Sequence, residues 1–454
     1  MNNRTQPPRM RVAVVGGGIM GVTLAYKLSQ RDDLDITIYE RGGNLGGLAA
    51  FMWYDGVRMD RFYHTILSSD LSMQALIQES GVADRLHFTE TKQGFFDSGQ
   101  IYPFNTPIDL MTYPPLNIFQ RFRLGLQVLY AQLESDWRKM DNVSVEDWLV
   151  KVSGRAVYEK VWKPLLRAKF DTAFTDVPAT YIWSRLKRMM GTRQGVTSKE
   201  MMCFLENGYY TLIEAMAEQC VQRGVTICVD TAIEQIVIEN GRAVGVRTPD
   251  GLQPFDVVIS TLVSPLLAKL IPDAPEAFQR QLAEQEYLGV LCPVLILKQQ
   301  LIPYYVLNIT DETIPFTGVV ETTNLIDPKY VKNYHLVYLP KYVAPDNPMY
   351  QWPDDQVKNE WMKHFLKMFP DFDESQIVDF IVQRARYVEP IRPLGTTDQI
   401  PHLKTPVEGL YMGNTAMIHP DLGNGDAAAR FAYRIIDQVL ADLPAWTPQP
   451  VPVA

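Results

Sequence analysis

The sequence predicts an α/β protein with two domains, and three observations lead to this prediction. A hydrophobic run near the start of the chain ends in a glycine-rich loop, and a second glycine-rich turn opens a helix near its end. Between these turns, strand-like segments alternate with helical ones, which is typical of α/β architecture. At 454 residues the chain is too long for one ordinary core, so a second domain is expected.

The first glycine-rich loop has the pattern of a dinucleotide-binding turn. Residues 12–15 form a predicted buried strand, and glycines at 16, 18 and 21 allow a tight turn, close approach of a pyrophosphate and close helix packing. The helix that begins at Ile19 would present free amide groups to the phosphates. A second strand, residues 35–39, ends at Glu40, whose carboxylate would accept hydrogen bonds from ribose hydroxyls and repel a 2′-phosphate. The alternative is a structural βαβ unit that binds no ligand.

Two later segments complete the predicted dinucleotide domain. A β-meander with a turn at Asn240 and Gly241 is expected to lead into the parallel sheet, which would make that sheet mixed. The predicted strands of this segment are residues 225–229, 233–238, 243–247 and 256–260. Near the end of the chain, Gly413 and Asn414 follow a short strand, and Gly425 precedes a helix of small residues. Two glycine turns at opposite ends of the chain suit a long cofactor, and FAD fits better than NAD because the late helix could face the flavin ring.

These three segments resemble those of the FAD-dependent amine oxidase, protoporphyrinogen oxidase and phytoene desaturase superfamily, with UDP-galactopyranose mutase as a near relative. The resemblance implies a non-covalently bound FAD in a Rossmann-like domain. Leu48 stands where many relatives carry a basic residue. The residues assigned to the cofactor are Gly16, Gly18, Ile19, Met20, Gly21, Glu40, Arg41, Gly46, Gly47, Leu48, Ile233, Gly413, Asn414, Gly425, Asp426 and Ala427.

The predicted domains are each assembled from separated segments. Residues 1–100, 205–290 and 391–445 are expected to form the FAD-binding domain. Residues 101–204 and 291–390 are expected to form a substrate-binding domain, with helices in the first segment and an antiparallel sheet in the second. In the resembled family such a sheet forms a wall beside the flavin ring.

Five residues are candidates for contact with the substrate or for catalysis. The strip 59–65 resembles the segment that passes the flavin face, so His64 is the first candidate for a proton-handling or flavin-contacting group; a hydrogen-bonded histidine at the domain interface is the alternative. Residues 162–170 resemble a stretch that lines the substrate chamber, where Arg167 and Lys169 could meet a carboxylate or phosphate or only cap surface helices. Tyr387 and Arg392 are predicted lining residues, with packing and capping as the alternative.

Composition excludes several functions. The formal net charge of −9 disfavours nucleic acid as a partner, and the histidines and cysteines lack metal-ligand spacing, so no metal is predicted. No apolar stretch is long enough to cross a bilayer, so a cytoplasmic location is expected. The apolar segment 107–130 either packs in the core or makes a peripheral membrane contact. The absence of tryptophan between residues 362 and 445, where amine-oxidising relatives build an aromatic cage, disfavours simple amines as substrates.

The sequence therefore predicts a protoporphyrinogen oxidase-like, FAD-dependent oxidoreductase. Its small-molecule substrate is expected to be sizeable and hydrophobic, porphyrinogen-like or isoprenoid-like, and to lose a hydride to the flavin. Two alternatives stay open: a non-redox flavin-dependent mutase of UDP-sugars, in which arginines clamp the diphosphate, and a flavin-holding protein without turnover. The electron acceptor and the oligomeric state are also open.

Overall fold

A computed structural model describes residues 9–191 and 201–442. The outer ends of the predicted segments 1–100 and 391–445, and residues 192–200 of segment 101–204, lie outside the described residues. The strands are β1 (Met10–Val15), β2 (Leu34–Tyr39), β3 (Phe51–Tyr54), β4 (Val57–Asp60), β5 (Ile66–Leu67), β6 (Leu86–Glu90), β7 (Gln93–Asp97), β8 (Gln100–Pro103), β9 (Met201–Leu205), β10 (Thr226–Cys228), β11 (Gln235–Glu239), β12 (Arg242–Thr248), β13 (Gly251–Pro254), β14 (Val257–Ser260), β15 (Tyr287–Leu297), β16 (Val306–Ile309), β17 (Gly318–Glu321), β18 (His335–Tyr338), β19 (Lys341–Val343), β20 (Ile377–Pro390) and β21 (Leu410–Met412).

The helices connect these strands and gather mainly between residues 107 and 191. They are α1 (Ile19–Leu28), α2 (Leu71–Glu79), α3 (Pro107–Thr112), α4 (Ile118–Leu133), α5 (Arg138–Asp141), α6 (Val145–Ser153), α7 (Arg155–Val157), α8 (Lys163–Phe170), α9 (Thr180–Gly191), α10 (Tyr210–Gln222), α11 (Ser264–Leu270), α12 (Glu276–Ala283), α13 (Asp354–Met368) and α14 (Gly425–Asp442). Within the described part of the chain, no helix has both the length and the apolar character needed to cross a bilayer.

The first sheet is parallel and confirms the predicted α/β fold. Its five strands follow the order β10-β2-β1-β14-β21, and each neighbouring pair is parallel. The inner strands β1 and β14 and the short strand β21 are almost wholly buried, as expected for a parallel sheet with both faces covered, whereas the edge strand β10 is partly exposed. Because the strands are parallel, the loops that follow β1, β14 and β21 leave the same edge of the sheet.

The β-meander forms a sheet of its own. Strands β11, β12 and β13 pair antiparallel with one another, and none of them pairs with the parallel sheet, so the expected mixed sheet is replaced by two separate sheets. The predicted turn is present: Asn240 and Gly241 both have positive φ, at 51° and 79°, as a two-residue hairpin turn of type I′ requires. The strands of such a hairpin satisfy their backbone hydrogen bonds by pairing with each other. The meander therefore forms its own sheet, which packs beside β14.

The second large sheet has eight strands and separates two cores. Its order is β19-β15-β18-β17-β16-β7-β8, with β20 paired along the other side of β15. One face packs with the helices of residues 107–191 around a core that includes Trp148 and Trp162. The other face packs against α13 through Trp361. Strands β7 and β8 join this sheet by the parallel pairing of β7 with β16.

Candidate active site

The glycine loop after β1 packs against the loop after β14. Gly16 has a φ of 107°, in the left-handed region that favours glycine, and its carbonyl accepts a hydrogen bond from the Thr261 hydroxyl at 3.0 Å. A Cβ on Gly21 would lie 1.9 Å from the Gly16 carbonyl oxygen, so this position admits no side chain. A Cβ on Gly18 would meet no protein atom within 4 Å. Gly18 therefore faces the open space in front of the loop.

Helix α1 begins with free amide groups at this open space. Gly18 is its N-cap, no side chain caps the helix, and the first intrahelical bond runs from the Val22 amide to the Gly18 carbonyl at 2.9 Å. The amides of Ile19, Met20 and Gly21 precede that bond and have no partner within the helix. A helix start of this kind, after a glycine turn, suits a diphosphate.

The Glu40 carboxylate is held beside the glycine loop. One of its oxygens accepts a hydrogen bond from the Gly17 amide at 2.9 Å, and the other accepts one from the Gly42 amide at 2.8 Å. Each carboxylate oxygen can accept a further hydrogen bond, so the group keeps capacity for ribose hydroxyls. The neighbouring Arg41 is exposed to solvent.

The turn at residues 46–48 packs directly on the same loop. The Gly46 amide donates to the Gly17 carbonyl at 2.7 Å, and a Cβ on Gly47 would lie 3.3 Å from the Gly18 Cα. Leu48 packs against the core that joins the helices to the second large sheet. An apolar contact thus takes the place of the basic residue that many relatives carry there.

The segment before β11 passes the other side of Glu40. The Thr231 amide donates to the Glu40 carbonyl at 2.9 Å, and the Asp230 amide donates to the Gly42 carbonyl at 3.0 Å. Ile233 follows this contact, and its side chain packs against the core of the parallel sheet. Its backbone therefore directly follows the segment that contacts Glu40.

Gly413 and Asn414 join the loops after β14 and β21. The Gly413 amide donates to the Ser260 carbonyl at 2.9 Å. The side-chain amide of Asn414 donates to the Leu262 carbonyl and to the Ser264 hydroxyl, both at 3.1 Å. The Asn414 side chain is therefore occupied within the protein, and its part in binding a cofactor would come from the backbone.

The start of α14 packs closely on Tyr209. A Cβ on Gly425 would lie 2.1 Å from the Tyr209 hydroxyl oxygen. The buried Asp426 carboxylate accepts a hydrogen bond from the backbone of α2 at 3.0 Å, and the Ala427 amide donates to the Asn424 side chain at 3.0 Å. The amides of Gly425 and Asp426 are thus the ones at this helix start that can meet a ligand.

These turns are close enough to bind one extended ligand. Strand β14 alone separates β1 from β21, and neighbouring strands are about 4.8 Å apart, so the two glycine turns start about 10 Å from each other at the sheet edge. The uncapped helix start, the open space before Gly18 and the positioned Glu40 carboxylate match the diphosphate and ribose of FAD. The residues present therefore fit this cofactor.

His64 lies near the late glycine turn and is neutral. Its ring is 5.3 Å from the Tyr209 ring, and its Nδ1–H donates to the Phe62 carbonyl at 2.9 Å. Burial lowers the pKa of His64 to about 4. Because Nδ1 carries the proton, Nε2 is the hydrogen-bond acceptor of this ring.

Lys169 points into the protein and pairs with Glu389. The Lys169 ammonium lies 2.8 Å from a Glu389 carboxylate oxygen and 3.6 Å from the centre of the Tyr342 ring. Burial disfavours the charged lysine, but the Glu389 carboxylate together with the neighbouring Tyr181 and Tyr63 raises the pKa of Lys169. The Tyr342 hydroxyl is 3.3 Å from that of Tyr63, next to His64 in the chain. The pair and the two tyrosines therefore form one cluster beside the His64 strip.

The other three candidates have different surroundings. Arg167 is exposed and pairs with Glu312 at 3.2 Å, so its side chain is directed to the surface. The Tyr387 ring stands edge-on to the Tyr287 ring at 5.7 Å. Arg392 is bound to main-chain carbonyls, including that of Ala416 at 2.8 Å, and burial lowers its pKa to about 10. Arg392 thus supports the turn that precedes α14.

Arg392 and Glu389 also line a small cavity at the end of β20. The remaining walls come from the end of α8, the start of α9 and the loop 419–423. The cavity therefore lies between the Lys169 cluster and the loop that leads into α14.

Sequence reasoning missed four residues of this region. Thr261 follows a predicted strand directly, so the shared edge of parallel strands could have indicated it. Glu389 and Tyr209 gave no local signal, because their partners lie far away in the chain. Asp60 accepts a hydrogen bond from the Tyr209 amide at 3.2 Å, and burial raises its pKa to about 7.

The chain is similar to several known flavoprotein relatives. It is 25% identical to the 15-cis-phytoene desaturase of Synechococcus elongatus over 59% of this chain and 61% of that protein. It is 28% identical to protoporphyrinogen oxidase 2 of Arabidopsis thaliana over 30% of this chain and 27% of that protein. It is 21% identical to the coproporphyrinogen III oxidase of Staphylococcus aureus over 50% of this chain and 54% of that protein. The chain thus spans less than two thirds of the length of each of these relatives.

Solved structures share the fold over nearly the whole chain. An oxidoreductase from Methanosarcina mazei superposes with a TM-score of 0.73 at 18% identity, covering 94% of this chain and 100% of that one. Reduced UDP-galactopyranose mutase superposes with a TM-score of 0.74 at 15% identity, covering 95% and 96%. At these identities the likeness concerns the fold alone.

The family comparison covers most of the chain. The sequence pattern of the family described as flavin containing amine oxidoreductase matches residues 19–425. The match includes the late turn as far as Gly425 and, of the glycines in the early loop, Gly21. The chain belongs to the flavin-containing amine oxidoreductase family, and its cofactor is FAD.

Proposed function

We propose that this protein is a cytoplasmic enzyme that dehydrogenates a sizeable, largely hydrophobic small molecule. FAD, when bound, supplies the hydride acceptor. The observation that carries the proposal is the cluster beside the His64 strip, where one partly buried ion pair, Lys169 with Glu389, lies next to tyrosines. An apolar substrate fits such a wall, and a single charged pair can orient it.

We further propose that the two large sheets bind different molecules. The parallel sheet and its glycine turns would bind FAD, and the eight-stranded sheet with the helices of residues 107–191 would bind the substrate. The Lys169 cluster supports this division because its members come from the helices, from β19 and β20, and from the strip after β4.

The tyrosines of the cluster provide a neutral, poorly hydrated surface. Burial raises the pKa of Tyr63 and Tyr342, and also that of Tyr181, which neighbours Lys169, so these phenols stay protonated at neutral pH. Removing water from such a site strengthens the interaction of any remaining charge with a bound substrate. The cluster can therefore hold an apolar body and also recognise one polar group.

We propose that His64 orients its neighbours and does not store a proton. A pKa of about 4 keeps it neutral at physiological pH, where it can accept a hydrogen bond at Nε2. For Tyr387 we propose a lining role, since its ring packs on Tyr287 near Asn414. Arg392 would act through the main chain of residues 415–418.

The charged pair favours a substrate that carries a carboxylate. A substrate carboxylate could replace Glu389 as the partner of Lys169, whereas a hydrocarbon offers no such group. The relatives include both kinds by name, a coproporphyrinogen III oxidase and a phytoene desaturase. We therefore propose a porphyrinogen-like substrate first and an isoprenoid-like substrate second.

A non-redox mutase of UDP-sugars is the second candidate, supported by the fold shared with UDP-galactopyranose mutase. Such an enzyme needs arginines to clamp a diphosphate. Of the candidate arginines, Arg167 pairs with Glu312 at the surface, and Arg392 donates to main-chain carbonyls. These contacts favour the dehydrogenase.

An anaerobic titration tests the proposal. Porphyrinogens, carotenoid precursors and UDP-sugars are added in turn to the FAD-loaded enzyme, and the visible absorption of the flavin is followed. A dehydrogenase substrate bleaches the flavin in proportion to the product formed. Turnover of a UDP-sugar only after chemical reduction, without net use of reductant, would identify the mutase. A protein that gives neither result holds flavin without turnover.

A further inference from the structure

Helices α3 and α4 expose an unusual number of large apolar side chains. We call this surface the apolar stripe; it consists of Ile108, Met111, Ile118, Phe119, Phe122, Leu126, Leu129, Tyr130 and Leu133. Phe119 is 80% exposed and Leu133 is 85% exposed, so the stripe extends along almost the whole of α4. From Phe119 to Leu133 the helix rises roughly 21 Å.

The stripe lies opposite the face by which α4 packs into the protein. Leu124, Gln127 and Ala131 are the buried residues of this helix. At about 100° per residue, the stripe residues of α4 fall within an arc of about 120° on the other side, and that arc contains no charged residue. A solvent-facing helix surface normally carries charged or polar side chains, so this face is built for a non-aqueous contact.

Hydrogen bonds connect the start of α4 to the end of α3. The Arg121 guanidinium donates to the Tyr113 carbonyl at 2.8 Å and to the Met111 carbonyl at 2.7 Å. Leu110 of α3 packs beside Gly125 of α4, since a Cβ on Gly125 would lie 3.6 Å from the Leu110 side chain, at ordinary contact distance. The exposed side chains of α3 and α4 therefore belong to one continuous surface.

Basic residues flank the stripe. Arg123 donates to the carbonyls of Lys151 and Val152, and the Lys160 ammonium donates to the Pro115 carbonyl at 2.9 Å, in the turn between α3 and α4. Within residues 9–191 and 201–442, Arg121, Arg123, Lys151 and Lys160 form no ion pair with a carboxylate. Residues 107–191 contain 13 Lys and Arg against 9 Asp and Glu, although the whole chain has a net charge of −9.

We propose that the apolar stripe docks this protein on the surface of a bilayer that contains anionic lipid, with α4 lying in the plane of the interface. The apolar side chains would enter the acyl boundary, and the four flanking cations would meet lipid phosphates. A symmetric pair of this chain would bring the same four cations face to face, which disfavours a second copy as the occupant. Docking does not depend on which substrate the enzyme oxidises.

Flotation with lipid vesicles tests this inference on the FAD-loaded, full-length protein. Vesicles of phosphatidylcholine with phosphatidylglycerol are compared with vesicles of phosphatidylcholine alone. The protein is expected to float with the mixed vesicles and to bind the neutral ones at least tenfold more weakly. The double variant Phe119→Ser and Leu133→Ser is expected to lose at least tenfold in vesicle partitioning while its flavin spectrum and melting temperature stay unchanged.

A matched control and a charge variant distinguish the possible causes. Leu71 is 70% exposed on α2, away from the stripe, so Leu71→Ser is expected to keep full vesicle binding. The double variant Lys151→Gln and Lys160→Gln is expected to lose binding to the mixed vesicles only. The inference is overturned if the wild-type protein stays unbound with both kinds of vesicle. It is also overturned if light scattering shows a dimer that Phe119→Ser and Leu133→Ser dissociate, because the stripe would then join two copies.

Discussion

Replacing Gly18 by alanine is expected to weaken FAD binding and leave the fold intact. A Cβ at this position meets no protein atom within 4 Å, and the backbone φ of −69° is one that alanine adopts freely. The change to the free energy of unfolding should therefore stay within about 0.5 kcal/mol. The added methyl enters the space where a phosphate would approach the loop amides, at about 2.9 Å. We expect at least a tenfold loss of affinity, which is about 1.4 kcal/mol.

Gly21→Ala is the matched control in the same loop. Its Cβ would lie 1.9 Å from the Gly16 carbonyl oxygen, whereas ordinary contacts begin at 3.4 Å. Helix α1 would have to move by about 1.5 Å, and overpacking of this kind costs about 1–3 kcal/mol. This variant should therefore lower the stability of the apoprotein as well as the affinity for FAD.

Two measurements on the apoprotein separate these effects. Quenching of flavin fluorescence gives the Kd for FAD, and circular dichroism gives the melting temperature without FAD. The reasoning fails if Gly18→Ala binds FAD as tightly as the wild type. It fails equally if Gly18→Ala lowers the apoprotein melting temperature as much as Gly21→Ala does, because the loss of affinity would then reflect misfolding.

Three further predictions concern titratable groups. Glu40→Gln leaves one accepting oxygen for the Gly17 and Gly42 amides and takes the charge from the group that would accept from the ribose. A hydrogen bond to a charged group is worth about 1.5–3 kcal/mol, so calorimetry should show at least a tenfold weaker Kd for FAD. An unchanged Kd would contradict the role of this carboxylate. The pKa of His64 is about 4 in the folded protein and 6.5 in the unfolded chain, so the stability that comes from its neutral form is present above pH 6.5 and is lost as the pH falls towards 4. His64→Gln should therefore flatten this part of a plot of melting temperature against pH. A curve parallel to that of the wild type would oppose the assignment. Lys169→Met should raise the KM for a porphyrinogen that carries carboxylates and leave the KM for a hydrocarbon unchanged. The double variant Lys169→Met and Glu389→Gln should recover the melting temperature but not the KM, because no carboxylate is then left without its partner. Equal effects on the KM of both substrates would exclude recognition of a carboxylate.

The early loop and the late turn were predictable because their signals are local. Gly16 needs a positive φ, Gly21 needs an empty Cβ position, and both requirements are met within a few residues of sequence. The same holds for the hairpin at Asn240 and Gly241. The separation of the meander from the parallel sheet was not predictable, because edge pairing depends on which strands reach one another in space.

The helix α8 shows what sequence reasoning could not resolve. Arg167 and Lys169 are two residues apart, which places them about 200° apart around the helix, so they cannot point the same way. The structure directs Arg167 to Glu312 at the surface and Lys169 inward to Glu389. The chain carries no local mark of this choice, since both side chains are long and basic.

The amino-acid order alone determined the α/β class, the cofactor and the turns that fit it, because backbone conformation and helix starts are encoded by neighbouring residues. Tertiary packing alone decided that Glu389 pairs with Lys169, that the Tyr209 hydroxyl packs against Gly425, and that Arg392 donates to main-chain carbonyls. The physical reason is that burial and hydrogen bonding join groups far apart in the chain, from 24 residues for Arg392 and Ala416 to more than 200 for Lys169 and Glu389, and only the folded chain brings those groups into contact.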